Sequence, residues 1–392
     1  MQRNFRLDEL CDIRSGGTPP RSSVANYGGN IPWAKIDDLN VESGTVSSTK
    51  EYITEIGLQS IRGRLFDPGT LLFAMYGSVG KMAWAGVRLS TNQAILGISI
   101  LEPQKLAPSY LKHWLASKQG DFDRDANGVA QKNLSAGYIR DLKIELPSIE
   151  EQLRIATILD KADSLRRKRL EAIRLADEFL WAAYLDLAQH HPATVPVETL
   201  LADVPNSART GPFGSQLLVS EFTKSGISVL GIDNVVSNGF TWGAPRFISA
   251  EKYAELERYT VRPGDVMVSI MGTTGRVAIA PDDLPICIST KHLCTLTLDH
   301  KKMLPTYLWA CLRWDPDVRA QTLREAKGAI MEGWNMGIVK GLLVNSPPMD
   351  VQVKFEESAN RIKRMRSAQA LAAKGTDELI ASLSAKYLES TT

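Results

Sequence analysis

Residues 77–81, Gly-Ser-Val-Gly-Lys, are the first candidates for chemistry. A phosphate-cradling loop needs G-x-x-x-x-G-K-[ST], so that successive backbone N–H groups wrap the phosphates and a final hydroxyl holds Mg²⁺. Met75 stands where the first glycine belongs, and Met82 stands where the hydroxyl belongs. No nucleotide site is expected there. Glu325-Ala326-Lys327, downstream of Pro281-Asp282, has the outline of a metal-nuclease P-D…E-x-K arrangement. Ser346-Pro347-Pro348-Met349 has the outline of the [DNS]-P-P-[YF] signature of amino-methyltransferases, but Met cannot stack on a flipped base as Tyr or Phe would. No Gly-rich strand-to-helix loop suited to S-adenosylmethionine accompanies it. The five histidines (His113, His190, His191, His292, His300) show no metal-binding spacing. His190-His191 reads as a helix terminus and His292 as a loop contact. Neither a catalytic residue nor a metal site is expected.

These fragments sit in a chain of 392 residues, long enough for two or three domains, with 44% hydrophobic and 23% charged residues, as in a soluble globular protein. No apolar run approaches the ~18 residues of a membrane span, and residues 1–6 lead into no signal-peptide core, so a cytoplasmic protein without membrane contact is expected. Cys11, Cys287, Cys294 and Cys311 form no C-x-x-C pair and read as reduced, partly buried small hydrophobes. The net charge of +2 argues neither for nor against a nucleic-acid partner.

The decisive feature is a repeat. Pro68 to Ala83 reappears as Pro263 to Ala278, at an offset of 195. Gly16-Gly17-Thr18-Pro19 corresponds to Gly211-Pro212-Phe213-Gly214, and Ile36-Asp37-Asp38-Leu39 to Ile232-Asp233-Asn234-Val235. Ser90-Thr91-Asn92-Gln93 is matched with Ser289-Thr290-Lys291-His292, Tyr110-Leu111 with Tyr307-Leu308, and Leu146 to Gln152 with Ser346 to Gln352. The order is preserved and the offset drifts only from 195 to 200, so the chain is two copies of one unit.

Each copy opens with short apolar runs split by Gly and Pro, the pattern of strands and turns. Gly77-Ser78-Val79-Gly80 then joins strands Leu71–Tyr76 and Lys81–Ala85, and Gly272-Thr273-Thr274-Gly275 does the same in the second copy, with Arg276 in place of Lys81. A Gly-rich hairpin tip with an exposed base accounts for one copy. Small residues plus a cation at both tips favour a phosphate-backbone contact, because Gly permits close approach.

Each copy ends in a long helix. From Pro147, apolar residues recur at Ile149, Leu153, Ala156, Leu159, Ala162, Leu165, Ile173, Ala176, Leu180, Ala183 and Leu187, until His190-His191-Pro192. The second copy runs from about Pro348 to Tyr387. Arg166-Arg167-Lys168-Arg169 is either a nucleic-acid patch or a solvated charged face. Narrow apolar stripes of this kind need a partner, and the twin helix, paired antiparallel, is the obvious one. The expected fold is α+β: two strand-rich domains, related by a pseudo-two-fold and separated by an antiparallel pair of long helices. The expected divisions are 1–146, 147–191, 192–346 and 347–392.

Duplicated strand-rich units, each followed by a long helix opening with a P-x-x-E-E-Q-like sequence, resemble the specificity (S) subunit of type I restriction–modification enzymes. The residues that carry this are Gly16 to Pro19, Ile31 to Leu39, Gly77 to Lys81, Thr91 to Gln93 and Leu146 to Ile155, then Gly211 to Gly214, Val261 to Val266 and Gly272 to Gly275. The second helix departs from the pattern, with Met349-Asp350-Val351-Gln352 at its start. The resemblance implies two target-recognition domains, each reading one half of a split DNA site, with the helices setting the spacer. It implies partners: double-stranded DNA, two methyltransferase subunits, and restriction/translocase subunits. S-adenosylmethionine, ATP and Mg²⁺ would be held by those partners and no cofactor by this chain.

Base readout favours Arg, Lys, Asn and Gln, with Ser and Thr more often on phosphate. The expected DNA contacts are Gly16, Gly17, Thr18, Lys35, Tyr76, Ser78, Lys81, Asn92, Gln93, Lys132 and Asn133 in the first copy. In the second they are Arg209, Ser215, Asn234, Thr273, Thr274, Arg276, Lys291 and His292. Glu150, Glu151, Gln152, Arg154 and Gln352, at the helix starts, are the expected partner contacts. Trp33, Trp84, Trp114 and Trp309 read as core. The competing readings are a nuclease in its own right, a protein-binding scaffold, and a specificity subunit serving a differently organised phage-defence complex.

Overall fold

The computed structural model describes residues 3–126, 133–326 and 333–388. The chain divides into two compact units, residues 1–171 with 369–392, and residues 172–368. Both boundaries cut a long helix, Ile149–His190 or Met349–Tyr387, so each helix gives one half to each unit.

In the first unit a five-stranded sheet has the order Cys11–Ser15, Ile95–Ile100, Leu71–Ala74, Met82–Ala85, Thr45–Val46. The strand Leu71–Ala74 is buried along its whole length. Side chains alternate across a strand, so Leu71 and Phe73 enter one core while Leu72 and Ala74 enter another on the opposite face. That two-sided burial is why the run is continuously apolar. A second sheet orders Glu51–Ile53, Tyr27–Ala34, Ser90–Thr91, and encloses a smaller core around Trp33 and Ile53. Arg3–Arg6 pairs antiparallel with Lys143–Leu146, closing the unit just before the long helix.

The second unit repeats this plan. Its main sheet has the order Ala208–Thr210, Leu293–Leu296, Val266–Ser269, Val277–Ile279. Val266 and Val268 face one core and Met267 faces another. Thr194–Pro196 closes against Leu343–Asn345. In both units a helix with proline in its first turn follows the sheet, Pro108–Ser117 or Pro305–Trp314, and buries Tyr110 or Tyr307.

Helix pairing is antiparallel within each unit. In the first, Arg169 donates to Ala372 O (3.1 Å) and Thr376 Oγ1 (2.8 Å), while the earlier Ile155, Ala156 and Leu159 share a core with the later Ile380, Leu383 and Leu388. In the second, Asp177 pairs with Arg366, and the later Tyr184 meets the earlier Phe355 edge to face at 6.3 Å. The expected stripe needs one correction. Leu153 and Leu165 are exposed, because the buried face runs through Gln152, Ile155, Ala156, Leu159 and Ala162.

Candidate nucleic-acid interface

In the first unit, the ends of four strands and a returning segment are tied together by backbone hydrogen bonds. Gly17 N donates to Thr91 O (2.8 Å), Asn92 N to Ala34 O (3.0 Å), Met75 N to Ala94 O (2.8 Å) and Leu134 N to Met75 O (3.0 Å). Tyr76 forms a β-bridge with Asn133. One edge of the unit therefore collects Gly16–Thr18, Lys35, Tyr76, Asn92, Gln93 and Asn133, which the sequence scatters over more than a hundred positions. Lys132 lies outside the described residues.

The second unit builds the same frame. Thr290 N donates to Leu230 O (2.8 Å), Ile270 N to His292 O (2.8 Å) and Trp334 N to Ile270 O (2.7 Å), and Met271 bridges Gly333. These bonds correct the register read from sequence by one residue. Thr91-Asn92 superposes on Ser289-Thr290, because Asn92 N and Thr290 N make the equivalent bond.

The two hairpin tips are built alike. Gly77 and Gly80 have φ of 66° and 84°, and Gly272 and Gly275 have φ of 72° and 77°. Both tips need glycine at both places, since these backbone conformations disfavour a Cβ. Gly80 N donates to Ala74 O (3.0 Å) and Gly275 N to Ser269 O (2.8 Å). Ser78 and Thr273 are exposed, and Thr274 is half-buried. Lys81 Nζ reaches Asn40 Oδ1, and Arg276 is half-buried. Sequence reasoning gave no sign of Asn40 as a partner for Lys81; one polar residue forty-one positions away carries no pattern.

Several expected contacts turn out to be structural. Gly16 and Gly17 are buried; a Cβ on Gly16 would overlap the Thr91 and Asn92 carbonyl oxygens, so that glycine lets two strand ends touch. Asn234 is buried, with its Oδ1 accepting from Gly231 N (2.8 Å) and its Nδ2 donating to Thr241 O (2.9 Å). Asp38 makes the matching bond to Lys35 N (2.8 Å) in the first unit. Arg209 is buried, ion-paired with Asp265 and donating to Thr260 O (2.7 Å), Asn206 O (2.9 Å) and Thr297 Oγ1 (2.9 Å). Burial pushes the Asp265 carboxyl up and the Arg209 guanidinium down, with their mutual attraction opposing both shifts. Such a guanidinium has no free edge for DNA.

The remaining candidates keep surface. Thr18 and Gln93 are exposed and hydrogen-bonded to each other, and Ser215, Lys291 and Asn133 are exposed. Lys35 is half-buried, paired with Glu51 and 5.9 Å from the Trp33 ring centroid. Asn92 Oδ1 caps Ala94 N (3.1 Å). His292, half-buried beside Thr290 Oγ1 (3.4 Å), is held below the ordinary histidine value by burial, then by Lys291 and Arg246.

At the helix starts the two glutamines are internal clamps. Gln152 Oε1 accepts from Ala107 N (2.9 Å), and its Nε2 donates to Lys105 O (2.9 Å) and Pro147 O (3.0 Å). Gln352 repeats this with Leu304 N (2.9 Å), Lys302 O (3.2 Å) and Pro347 O (2.9 Å). Both are fully buried, so neither presents a side chain to a partner. Glu150 is exposed on the helix surface, and Arg154 is paired with the half-buried Glu151 (2.6 Å). The same bonds explain Ser346-Pro347-Pro348-Met349 as a helix lead-in rather than a base-stacking motif.

The Glu325 side chain and Lys327 lie outside the described residues. Among the described residues no group of three or more His, Cys, Asp or Glu could hold a metal ion, and no helix is long and apolar enough to cross a membrane. All four cysteines are buried, and burial pushes their thiols up to about 12.

Residues 2–175 match the model of the type I restriction modification DNA specificity domain. The chain is 23% identical over 385 residues to the EcoBI type I restriction enzyme specificity subunit of Escherichia coli, covering 92% of this chain and 78% of that one. It is 29% identical over 163 residues to the MjaIX specificity subunit of Methanocaldococcus jannaschii, where the match spans 41% of this chain and 37% of the relative. In fold it is similar to the type I restriction–modification S subunit from M. genitalium (TM-score 0.62, 12% identity, 100% of this chain and 97% of that one). A chain from a type I system described for its complex assembly gives a TM-score of 0.53 at 17% identity, with 100% and 98% covered. Residues 2–175 thus match the type I specificity domain, and over nearly its whole length the chain is similar to specificity subunits of type I restriction–modification systems.

Proposed function

We propose that this chain is a non-catalytic, sequence-specific DNA-recognition subunit, and that its two units read the two unlike halves of a split DNA target. The observation that carries the proposal is a common frame with different side chains mounted on it. Lys35 is replaced by Gly231, Tyr76 by Met271, Asn92 by Thr290 and Asn133 by Gly333 at equivalent backbone positions. Base edges are distinguished by donor and acceptor pattern, so two readers with unlike groups prefer unlike bases. The hairpin-tip cations Lys81 and Arg276 would supply sequence-independent phosphate contacts.

The helices, of 42 and 39 residues, would set the unspecified spacer between the half-sites. They would also dock the partners. Leu153, Leu165, Leu170, Leu175, Phe179 and Trp181 are exposed on the first long helix, far more apolar surface than a solvated helix needs. Two methyltransferase subunits, holding S-adenosylmethionine, and restriction subunits, using ATP and Mg²⁺, fit the family role, and the complex would work on DNA in the cytoplasm.

The test is to purify the chain with co-expressed methyltransferase subunits and map the adenines methylated on genomic DNA. A split motif with unrelated halves is expected. Active methylation without any motif would overturn the recognition role.

A further inference from the structure

We propose that each unit carries a second DNA-backbone seat, away from its base-reading edge, in which a cation on a long helix, one on the helix that follows the sheet, and the hairpin-tip cation hold phosphate together. The proposal rests on the DNA-recognition reading and goes beyond it by giving the long helices a direct role on DNA.

In the first unit the seat surrounds the segment Asn40–Gly44. Lys81 Nζ reaches Asn40 Oδ1, and Arg167 Nη1, on the long helix, donates to Glu42 O (3.3 Å). Lys112 Nζ and Arg167 Nη1 both lie within 4 Å of the point a Cβ on Gly44 would occupy. Among the described residues neither Lys112 nor Arg167 has a carboxylate partner. Two like charges crowded beside a glycine, one of them donating to a backbone carbonyl, are an arrangement an anion would relieve.

The second unit repeats the arrangement with different residues. Asn238 ties the corresponding segment to the hairpin through Val277 N (3.2 Å) and to the following helix through Trp309 Nε1 (3.0 Å). Trp309 occupies the helix position that Lys112 holds in the first unit, and one turn on stands Arg313. Its guanidinium lies 4.9 Å and 4.8 Å from the ring centroids of Trp309 and Trp314. Burial, then repulsion from Arg366 and Arg276, pushes Arg313 below the ordinary arginine value, and Asp177 alone opposes this. Arg366, on the long helix, pairs with that same Asp177, and its Nε is buried with no hydrogen-bond partner among the described residues. Arg313 and Arg366 therefore lean on one carboxylate, and the hairpin-tip Arg276 adds its repulsion to Arg313. Arginine's planar fork suits phosphate, and rigid stacking on tryptophan would hold Arg313 ready for it.

The occupant is DNA phosphate rather than an acidic protein surface because, in both units, the seat includes the hairpin-tip cation, continuing the track from the base-reading edge onto the helix. Asp177 then competes with phosphate for Arg366.

The test measures affinity for a mixed-sequence duplex against salt concentration, using the full chain purified with its methyltransferase subunits. Arg167→Gln and Arg366→Gln should each flatten the log–log slope by about one unit, weakening specific and nonspecific DNA alike. Arg366→Lys, which keeps the charge, should restore the slope, and Asp177→Asn should tighten binding. Arg167 is exposed, so its variant remains informative if Arg366→Gln unfolds. Unchanged slopes in Arg167→Gln and a folded Arg366→Gln would overturn the proposal, and loss of methyltransferase copurification with unchanged slopes would do so in favour of an acidic protein partner. A wild-type complex that binds no duplex at any salt concentration would instead defeat the DNA-recognition reading itself.

Discussion

At the scale of single residues, the sequence names the right chemical types but cannot separate those that face outward from those that hold the frame. Gln152 and Gln352 show why. Their place in a P-x-x-E-E-Q-like motif says that they matter, and only the fold shows each one satisfying three backbone groups. Gln352→Ala would strand those groups in a buried site and should lower stability by roughly 2–4 kcal/mol in the chain alone, read by denaturant unfolding. A variant as stable as wild type that loses only its partners would return the glutamine to the docking surface. Arg209 gives a similar contrast. Removing it leaves Asp265 buried and unpaired, at a cost of about 3–5 kcal/mol. In the first unit Thr70, hydrogen-bonded to Ser99 (3.1 Å), stands where Asp265 stands with Thr297, so Arg209→Met with Asp265→Thr should recover most of that loss. His292 sets a pH dependence. Its native value lies below the ordinary one, so its contribution to stability is complete above the ordinary histidine range and is lost as pH falls through it. His292→Gln should remove that part of the acid sensitivity in a series of thermal melts.

At the scale of elements, most of the architecture is legible, because repeats and periodicity are local properties. The strands expected at Leu71–Tyr76 and Lys81–Ala85 appear as Leu71–Ala74 and Met82–Ala85, and the first long helix ends at His190 as its histidines and proline suggest. What sequence cannot give is register. The one-residue error at Thr91-Asn92 arose because Ser-Thr occurs in both copies, whereas hydrogen bonding decides which backbone groups correspond. The exposure of Leu153 and Leu165 was equally hidden, since periodicity fixes a stripe but not the angle at which a partner helix meets it. The hairpin tips make a direct prediction. A Cβ at Gly80 would overlap the Gln119 side-chain oxygen and force a strained backbone, so Gly80→Ala should cost on the order of 1–2 kcal/mol. Gly77→Ala, with the same backbone strain and open space around it, should cost less, and equal losses in the two variants would contradict this account of the tip.

At the scale of the whole molecule, duplication followed by divergence is the property that turns a fold into a specificity device. Each copy keeps the bonds that bring its strand ends together and changes the groups those ends present. On the proposal that each unit reads its own half-site, variants in one unit should change recognition of that half alone. Gln93→Ala and Asn133→Ala should relax base preference in the first half while leaving the second intact, as read from the sequences each variant recovers. If the helices set the spacer, matched insertion of two turns in both would add about 11 Å, or about three base pairs, to the distance between halves. The measurement that meets the central claim most directly is selection of bound duplexes from a random-sequence pool by the wild-type complex. Two short, dissimilar motifs at a fixed separation are the predicted result. A single contiguous motif, or two identical halves, would contradict the reading of this chain as two unlike readers on one frame.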